Sequence, residues 1–211
     1  MNEERVINDL GRYLTNILRH RAAELRLKIK PDGYVFVKDI LSLPEKTRSR
    51  RALRSHTLED VLMAVKKDSK TRMSIRGSGA STEIRANQGH SLKNIDDESL
   101  LRKIYSPSEL PVLGLCVHGT YYEHLTNILN NGLKSMTRKH VHFSTQPFGS
   151  KKTISGMRSN CQVLIYLNVK KALEEGLQIY LSSNEVALVP DMVPPHLFEK
   201  ICEASTGKII F

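Results

Sequence analysis

Arg72-Met73-Ser74-Ile75-Arg76, Gly77-Ser78-Gly79 and Thr82-Glu83-Ile84-Arg85-Ala86 decide how the front of this chain is read. Two short runs with apolar residues at alternate positions, joined by a glycine turn, predict a β-hairpin that carries three arginines. Upstream, Thr57 with Asp60 three residues on forms a capping signal, and Leu58, Val61, Leu62 and Val65 give the buried stripe of a helix starting there. Pro31-Asp32-Gly33 is a turn signal, followed by the short β-rich run Tyr34-Val35-Phe36-Val37 and then Lys38-Asp39-Ile40-Leu41. At the very front Val6, Ile7, Leu10, Leu14, Ile17 and Leu18 recur at steps of three and four, predicting an amphipathic helix that reaches about residue 22. Helices followed by a basic hairpin describe a small winged-helix lobe over 1–95, an architecture used for nucleic-acid binding and for partner docking alike.

Downstream the pattern changes. Ser106-Pro107-Ser108 and Leu110-Pro111 mark 96–112 as a linker. From 113 to 211 the chain reads as mostly sheet with a few helices. There is an apolar strand over 113–117 ending in His118-Gly119-Thr120, a helix over 121–131 stopped by Gly132, and a strand over 141–144. A polar loop over 146–159, a continuous apolar strand over 163–167 and short strands over 179–181 and 186–189 follow, with a last helix over 196–203 introduced by Pro194-Pro195. The predicted class is α+β, in two lobes. Charge divides the same way: through Ile95 there are 20 Lys+Arg against 11 Asp+Glu, a net of +9, and from Asp96 onward a net of +1 out of the total of +10. A basic lobe ahead of a near-neutral one points to a polyanion held by the front half, nucleic acid before membrane surface. No apolar run approaches the roughly 20 residues that span a bilayer, and Met1-Asn2-Glu3-Glu4 lacks the basic and apolar regions of a signal peptide. The expectation is an intracellular, soluble monomer, cytoplasmic or nuclear. Cys116, Cys161 and Cys202 are odd in number and have no metal-ligand spacing, so they are read as reduced core thiols, and no metal is expected.

Several residues invite a chemical reading. In Met136-Thr137-Arg138-Lys139-His140-Val141-His142-Phe143-Ser144, positions 138, 140 and 142 share one face of an extended chain, which makes either a phosphate site or a polar strand face. Arg19 and His20 close the first helix, where the helix dipole alone accounts for a cation. In His118-Gly119-Thr120 a glycine between two hydrogen-bonding side chains lets a ligand approach the backbone and suits a carboxamide. With His142-Phe143-Ser144 the chain carries two copies of His-x-Thr/Ser, the mark of two-histidine phosphoesterases. Only 23 residues lie between the two histidines, little for two pseudo-symmetric halves.

Taken in order, Leu18-Arg19-His20, Asp32-Gly33-Tyr34-Val35, Lys70-Thr71-Arg72, Ile84-Arg85-Ala86-Asn87-Gln88-Gly89-His90-Ser91, His118-Gly119-Thr120, Arg138-Lys139-His140-Val141-His142 and Ile154-Ser155-Gly156-Met157-Arg158 resemble the RNA 2′-phosphotransferases. These are NAD-dependent enzymes that remove the 2′-phosphate left at the splice junction when tRNA is ligated. The resemblance implies a winged-helix N-terminal lobe joined to an ADP-ribosyltransferase-like, split β-sheet C-terminal lobe, with the active site in the cleft between. It further implies that the RNA 2′-phosphate attacks C1″ of NAD and expels nicotinamide, leaving an RNA 2′-phospho-ADP-ribose intermediate. Ribose O2″ then attacks that phosphate, giving RNA 2′-OH and ADP-ribose 1″,2″-cyclic phosphate.

By the same resemblance Arg19, His20, Arg72 and Arg138 hold the phosphate through its charge, with His20 the candidate for proton transfer in the second step. His118, Gly119, Thr120, His142, Ser144, Gly156 and Arg158 hold NAD, Gly119 through its backbone and Arg158 near the adenosine. Protein-modifying relatives carry a glutamate on a late strand. Here Val186 fits that place, and adjacent Glu185, standing for a usual glycine, is read as a turn residue. Gly11-Arg12 replace Ser-Lys, and Thr71 and Met73 replace Gln and Phe. The run Arg48, Arg50, Arg51 and Arg54 is either a tRNA backbone contact or a solvated loop. The expected substrate is RNA with an internal 2′-phosphate, tRNA first. The alternatives are an ADP-ribosyltransferase that caps terminal phosphates of nucleic acid, an NAD-independent two-histidine phosphoesterase, and a non-catalytic RNA-binding or scaffolding protein.

Overall fold

Helix α1 (Glu3–Asn16) buries Val6, Ile7, Leu10 and Leu14, the stripe its periodicity predicts. In the computed structural model, which describes residues 3–92, 95–150, 157 and 160–211 with the side chains of 97 and 98 excepted, α1 does not run on as a plain α-helix. It widens into a π-turn, Ile17–Arg21, that keeps Ile17 and Leu18 in the core while rotating Arg19 and His20 relative to an α-helical continuation. Strand β1 (Val35–Phe36) passes directly into α2 (Val37–Leu41). Helix α3 (Leu58–Lys66) starts at the Thr57–Asp60 capping box and packs on α1, where Gly11 faces Ala64. Strands β2 (Met73–Arg76) and β3 (Glu83–Ala86) form the expected antiparallel hairpin, and β1 pairs with the other side of β3, giving a three-stranded sheet ordered β1-β3-β2. One core made of Leu10, Leu14, Ile17, Val35, Ile40, Leu53, Val61 and Ile84, among others, joins these elements.

The chain divides into two compact units, Met1–Leu100 and Leu101–Phe211. The stretch 96–112, expected as a linker, is structured. Helix α4 (Asp97–Leu100) is followed by β4 (Arg102–Ile104) and by a 3-10 turn, Pro107–Glu109, capped reciprocally by Ser106 and Glu109. Ile104 is buried in the second core, which is why proline and serine nearby do not make this stretch a spacer. Next come β5 (Val117–Thr120), α5 (Tyr122–Asn131), β6 (Leu133–Lys134), β7 (His140–Ser144), β8 (Val163–Leu167), α6 (Val169–Glu174), β9 (Ile179–Leu181), β10 (Val186–Pro190), β11 (Met192–Val193) and β12 (Phe198–Glu203). Seven of these strands form an antiparallel sheet ordered β12-β8-β5-β7-β10-β9-β4; β6 and β11 pair separately.

Three further expectations are corrected. The strand expected over 113–117 begins only at Val117, because Gly114 at φ +66 and the Leu115 N–H bonded to the Val112 carbonyl make 112–115 a turn. The helix expected over 196–203 is a 3-10 turn, Pro195–Leu197, and then β12. The apolar β8 must be paired on its outer edge, and β12 does so, with Ile201 facing Ile165 and a bulge between Phe198 and Lys200. Arg138 lies in the turn before β7 rather than on the strand, so only His140 and His142 share a strand face.

Candidate functional site

In the first unit one loop organises two of the expected cations and the histidine. The residues after β3, 87–91, are buried apart from Ser91 and bond in two directions. Asn87 donates its backbone N–H to the Arg72 carbonyl (2.9 Å) and its side-chain amide to the Thr71 carbonyl (2.8 Å), and accepts from the Ser74 hydroxyl (2.6 Å). At the other end the Ser91 N–H donates to the Arg19 carbonyl (3.0 Å), and its hydroxyl lies 3.0 Å from Nδ1 of His20. The π-turn that carries Arg19 and His20 and the strand start that carries Arg72 are therefore fixed to a common backbone. Arg19 is half-buried and His20 exposed. A wide helical turn is a common place for a functional group, because it frees backbone and re-aims side chains.

Arg72 is aimed by Asp68. The carboxylate, only 3 % exposed, accepts from Nε of Arg72 at 2.9 Å, from Nη2 at 2.7 Å and from the Arg72 N–H at 2.6 Å. Burial alone would raise the Asp68 pKa; the Arg72 guanidinium and the backbone N–H groups of Arg72 and Lys70 outweigh it and hold the carboxyl below its usual range. The Nε–Nη2 edge of the guanidinium is thus taken, and a phosphate would meet the Nη1–Nη2 end. Thr71 beside it sits at φ +45, a conformation costly for a β-branched residue. Other cations of this unit are tied elsewhere: Arg21 to Glu24 and Glu45, and Arg76 to Asp32 and Glu83 while stacked on Tyr34. Asp68 was not singled out by sequence reasoning. Its only signal was a carboxylate four residues before Arg72.

In the second unit the sheet opens at its centre. Strands β5 and β7 share a single register pair, Val117 with Ser144, and then part. His118 reaches into the opening, its Nδ1 2.9 Å from the His142 carbonyl oxygen. A carbonyl only accepts, so Nδ1 carries the proton. Burial pushes the imidazole pKa below its usual 6.5, partly offset by that hydrogen bond, so the ring is neutral and Nε2 is an acceptor. His142 is buried, with Nδ1 2.9 Å from the His140 carbonyl.

The Cys116 carbonyl accepts from the Leu167 N–H of β8 and the Thr120 carbonyl from the Gln162 N–H just ahead of it, so the backbone groups of even-numbered residues face that strand. Those of Gly119 face the side where β7 has departed. Gly119 therefore offers an N–H and a C=O side by side. The chain also leaves no room for a side chain there: a Cβ would stand 2.6 Å from Met157 Cγ and 2.7 Å from Cys161 Sγ.

Thr120 is buried, and the Ser144 hydroxyl is engaged in the turn at Gln146. Arg138 is exposed. Gly156 and Arg158 lie outside the described residues. Val186 is fully buried opposite Ser144, and Glu185 sits at φ +60 in the turn before it, as a residue in a glycine's place would. All three cysteines are free and buried, with the Cys116 thiol pushed up to about 12 by burial.

Residues 4–191 match the family model described as RNA 2′-phosphotransferase, Tpt1 / KptA family. The chain is 35% identical over 191 residues to tRNA 2′-phosphotransferase 1 of Danio rerio, covering 90% of this chain and 80% of that protein. It is 36% identical over 197 residues to the protein of the same name from Bos taurus, covering 90% and 73%. To tRNA 2′-phosphotransferase of Saccharomyces cerevisiae it is 34% identical over 198 residues, covering 91% and 82%.

Proposed function

Because the chain belongs to the RNA 2′-phosphotransferase family, we propose that it removes an internal 2′-phosphate from RNA, spliced tRNA first, and that NAD is the acceptor. The observation that carries this reading is the loop 87–91, which binds the backbone of both Arg19 and Arg72 and the ring of His20. The first unit is read as the winged-helix, RNA-binding half and the second as the ADP-ribosyltransferase-like, NAD-binding half of a monomer working in cytoplasm or nucleus.

NAD suits the second unit on two counts. A carboxamide needs one donor and one acceptor, which Gly119 presents where the sheet opens, and a ribose hydroxyl needs an acceptor, which neutral His118 supplies at Nε2. The same resemblance assigns Thr120, His142, Ser144, Gly156 and Arg158 to NAD and Arg138 to the phosphate. NAD is consumed as a substrate, its nicotinamide being the leaving group of the first step. A 2′-phosphate is already anionic and needs no base to attack C1″; Arg19, Arg72 and Arg138 hold and align it. In the second step, attack of O2″ on phosphorus builds charge on the non-bridging oxygens. The same guanidinium groups stabilise that charge, while His20, steadied by Ser91, moves the proton.

The test is an oligonucleotide with one internal 2′-phosphate, incubated with and without NAD. Loss of the phosphate with release of one nicotinamide per turnover is expected, and Arg72→Ala abolishes both. Dephosphorylation without NAD would point to a two-histidine phosphoesterase and overturn the proposal. A stable ADP-ribosylated nucleic acid would instead identify a capping transferase.

A further inference from the structure

Beside α1 the first unit has a groove of about 800 Å³ whose lining includes Arg5, Arg12, Arg48 and Arg50 together with Glu4 and Asp9. All four arginines are exposed. Arg5 and Arg12 are seven residues apart, two turns on one face of the helix. Arg48 and Arg50 come from the facing loop, which is built rather than loose. The Thr47 N–H bonds to the Arg51 carbonyl (2.9 Å), the Arg50 N–H to the Thr47 carbonyl (2.8 Å), and Lys46 bridges to Ala52. The loop is clamped to α1 by the Ser49 N–H donating to Asp9 Oδ2 at 2.5 Å, so this carboxylate is engaged in holding the wall of the groove. Arg50 stands at φ +64, a backbone that glycine takes without steric cost, so the turn itself does not ask for arginine there.

We infer that this groove is a second RNA site, holding the ribose-phosphate backbone that flanks the 2′-phosphate; the inference rests on the proposed function for the identity of the RNA. Four guanidinium forks match phosphate oxygens, and they outnumber the two carboxylates. The placement fits as well. Arg12 precedes Arg19 by seven residues of one continuous helical rod, about 10 Å along its axis, so a strand held at Arg19 and His20 continues within reach of the groove. An acidic protein segment is the competing occupant. It would not need guanidinium groups spaced along the path that leads to the phosphate-binding end of the helix.

The test compares the wild type with the triple variant Arg12→Gln, Arg48→Gln, Arg50→Gln. It uses a 20-nucleotide RNA with an internal 2′-phosphate and a 2′-phosphorylated dinucleotide too short to enter the groove. For the long RNA, Kd and KM are expected to rise roughly tenfold or more, and the slope of log Kd against log salt to fall by about 2, since each single-strand phosphate contact contributes roughly 0.7. Turnover of the dinucleotide stays unchanged, and the corresponding Arg→Lys variant keeps the salt slope. An unaltered Kd and slope for the long RNA overturns the site, the acidic-segment occupant included among the explanations left. If the wild type turns over neither RNA, the proposed function fails, yet the Kd comparison still decides the groove. Should the triple variant not fold, Arg48→Gln and Arg50→Gln singly, both in the exposed loop, carry the same measurement.

Discussion

Asp68 binds Arg72 through both carboxylate oxygens, and this makes it the residue whose removal separates positioning from charge. Asp68→Asn keeps the volume but loses the ionic grip, so Arg72 samples other rotamers; kcat/KM for a 2′-phosphorylated RNA should fall by about tenfold or more while the Tm drops by only a few degrees. Glu185 is the opposite case. Its side chain does nothing the turn requires, and Glu185→Gly should raise stability by roughly 0.5–1 kcal/mol with activity intact, measured as a gain in the denaturant midpoint. His118 sets a pH dependence. Its folded pKa lies below the unfolded 6.5, so the unfolded chain binds the proton first. The stability from the neutral ring is fully present above about pH 6.5 and is lost as pH falls through the lowered native value. A Tm that declines between pH 7 and pH 5 less steeply in His118→Gln than in the wild type is the expected result. At this scale the turn at Glu185 was legible through the resemblance, which puts a glycine there, and the backbone has the positive φ that glycine favours. The sequence was silent about Asp68 and Ser91, because an aspartate in a polar turn and a serine after a histidine look the same whether or not they bond to an arginine or a histidine elsewhere in the chain.

Elements were legible when their own pattern sufficed. The stripe of α1, the capping box of α3, the hairpin of β2 and β3 and the apolar run of β8 each declare themselves locally. Strand β12 did not, since Phe198-Glu199-Lys200-Ile201-Cys202-Glu203 fits a short helix as well as a strand, and only the bare edge of β8 decides. The π-turn was hidden because Ile17 and Leu18 continue the helical stripe by burial while the backbone changes its winding beneath them. Two glycines separate the roles an element can give that residue. Gly11 lies inside α1 with an ordinary 3.7 Å clearance to Ala64, so Gly11→Ala should stabilise by about 0.5–1 kcal/mol through helix propensity, seen in chemical unfolding. Gly119→Ala drives a methyl group into Met157 and Cys161 and should cost roughly 1–3 kcal/mol.

For the molecule as a whole, the division of charge read from composition has a functional consequence. With a net of +9 before Asp96 and +1 after it, RNA affinity should weaken about tenfold or more between 50 and 200 mM salt while the KM for NAD changes little. The asymmetry and the change of pattern suggested two lobes parted by a linker, and the chain divides at Leu100 instead; the participation of Arg102–Ile104 in the large sheet was not legible, because three residues next to a proline-rich turn carry no period. The most direct measurement follows the phosphorus atom itself. With a 2′-phosphate-labelled RNA and NAD, phosphorus NMR or mass spectrometry should find the label in ADP-ribose 1″,2″-cyclic phosphate, and recovery of the label as inorganic phosphate would contradict transfer to NAD.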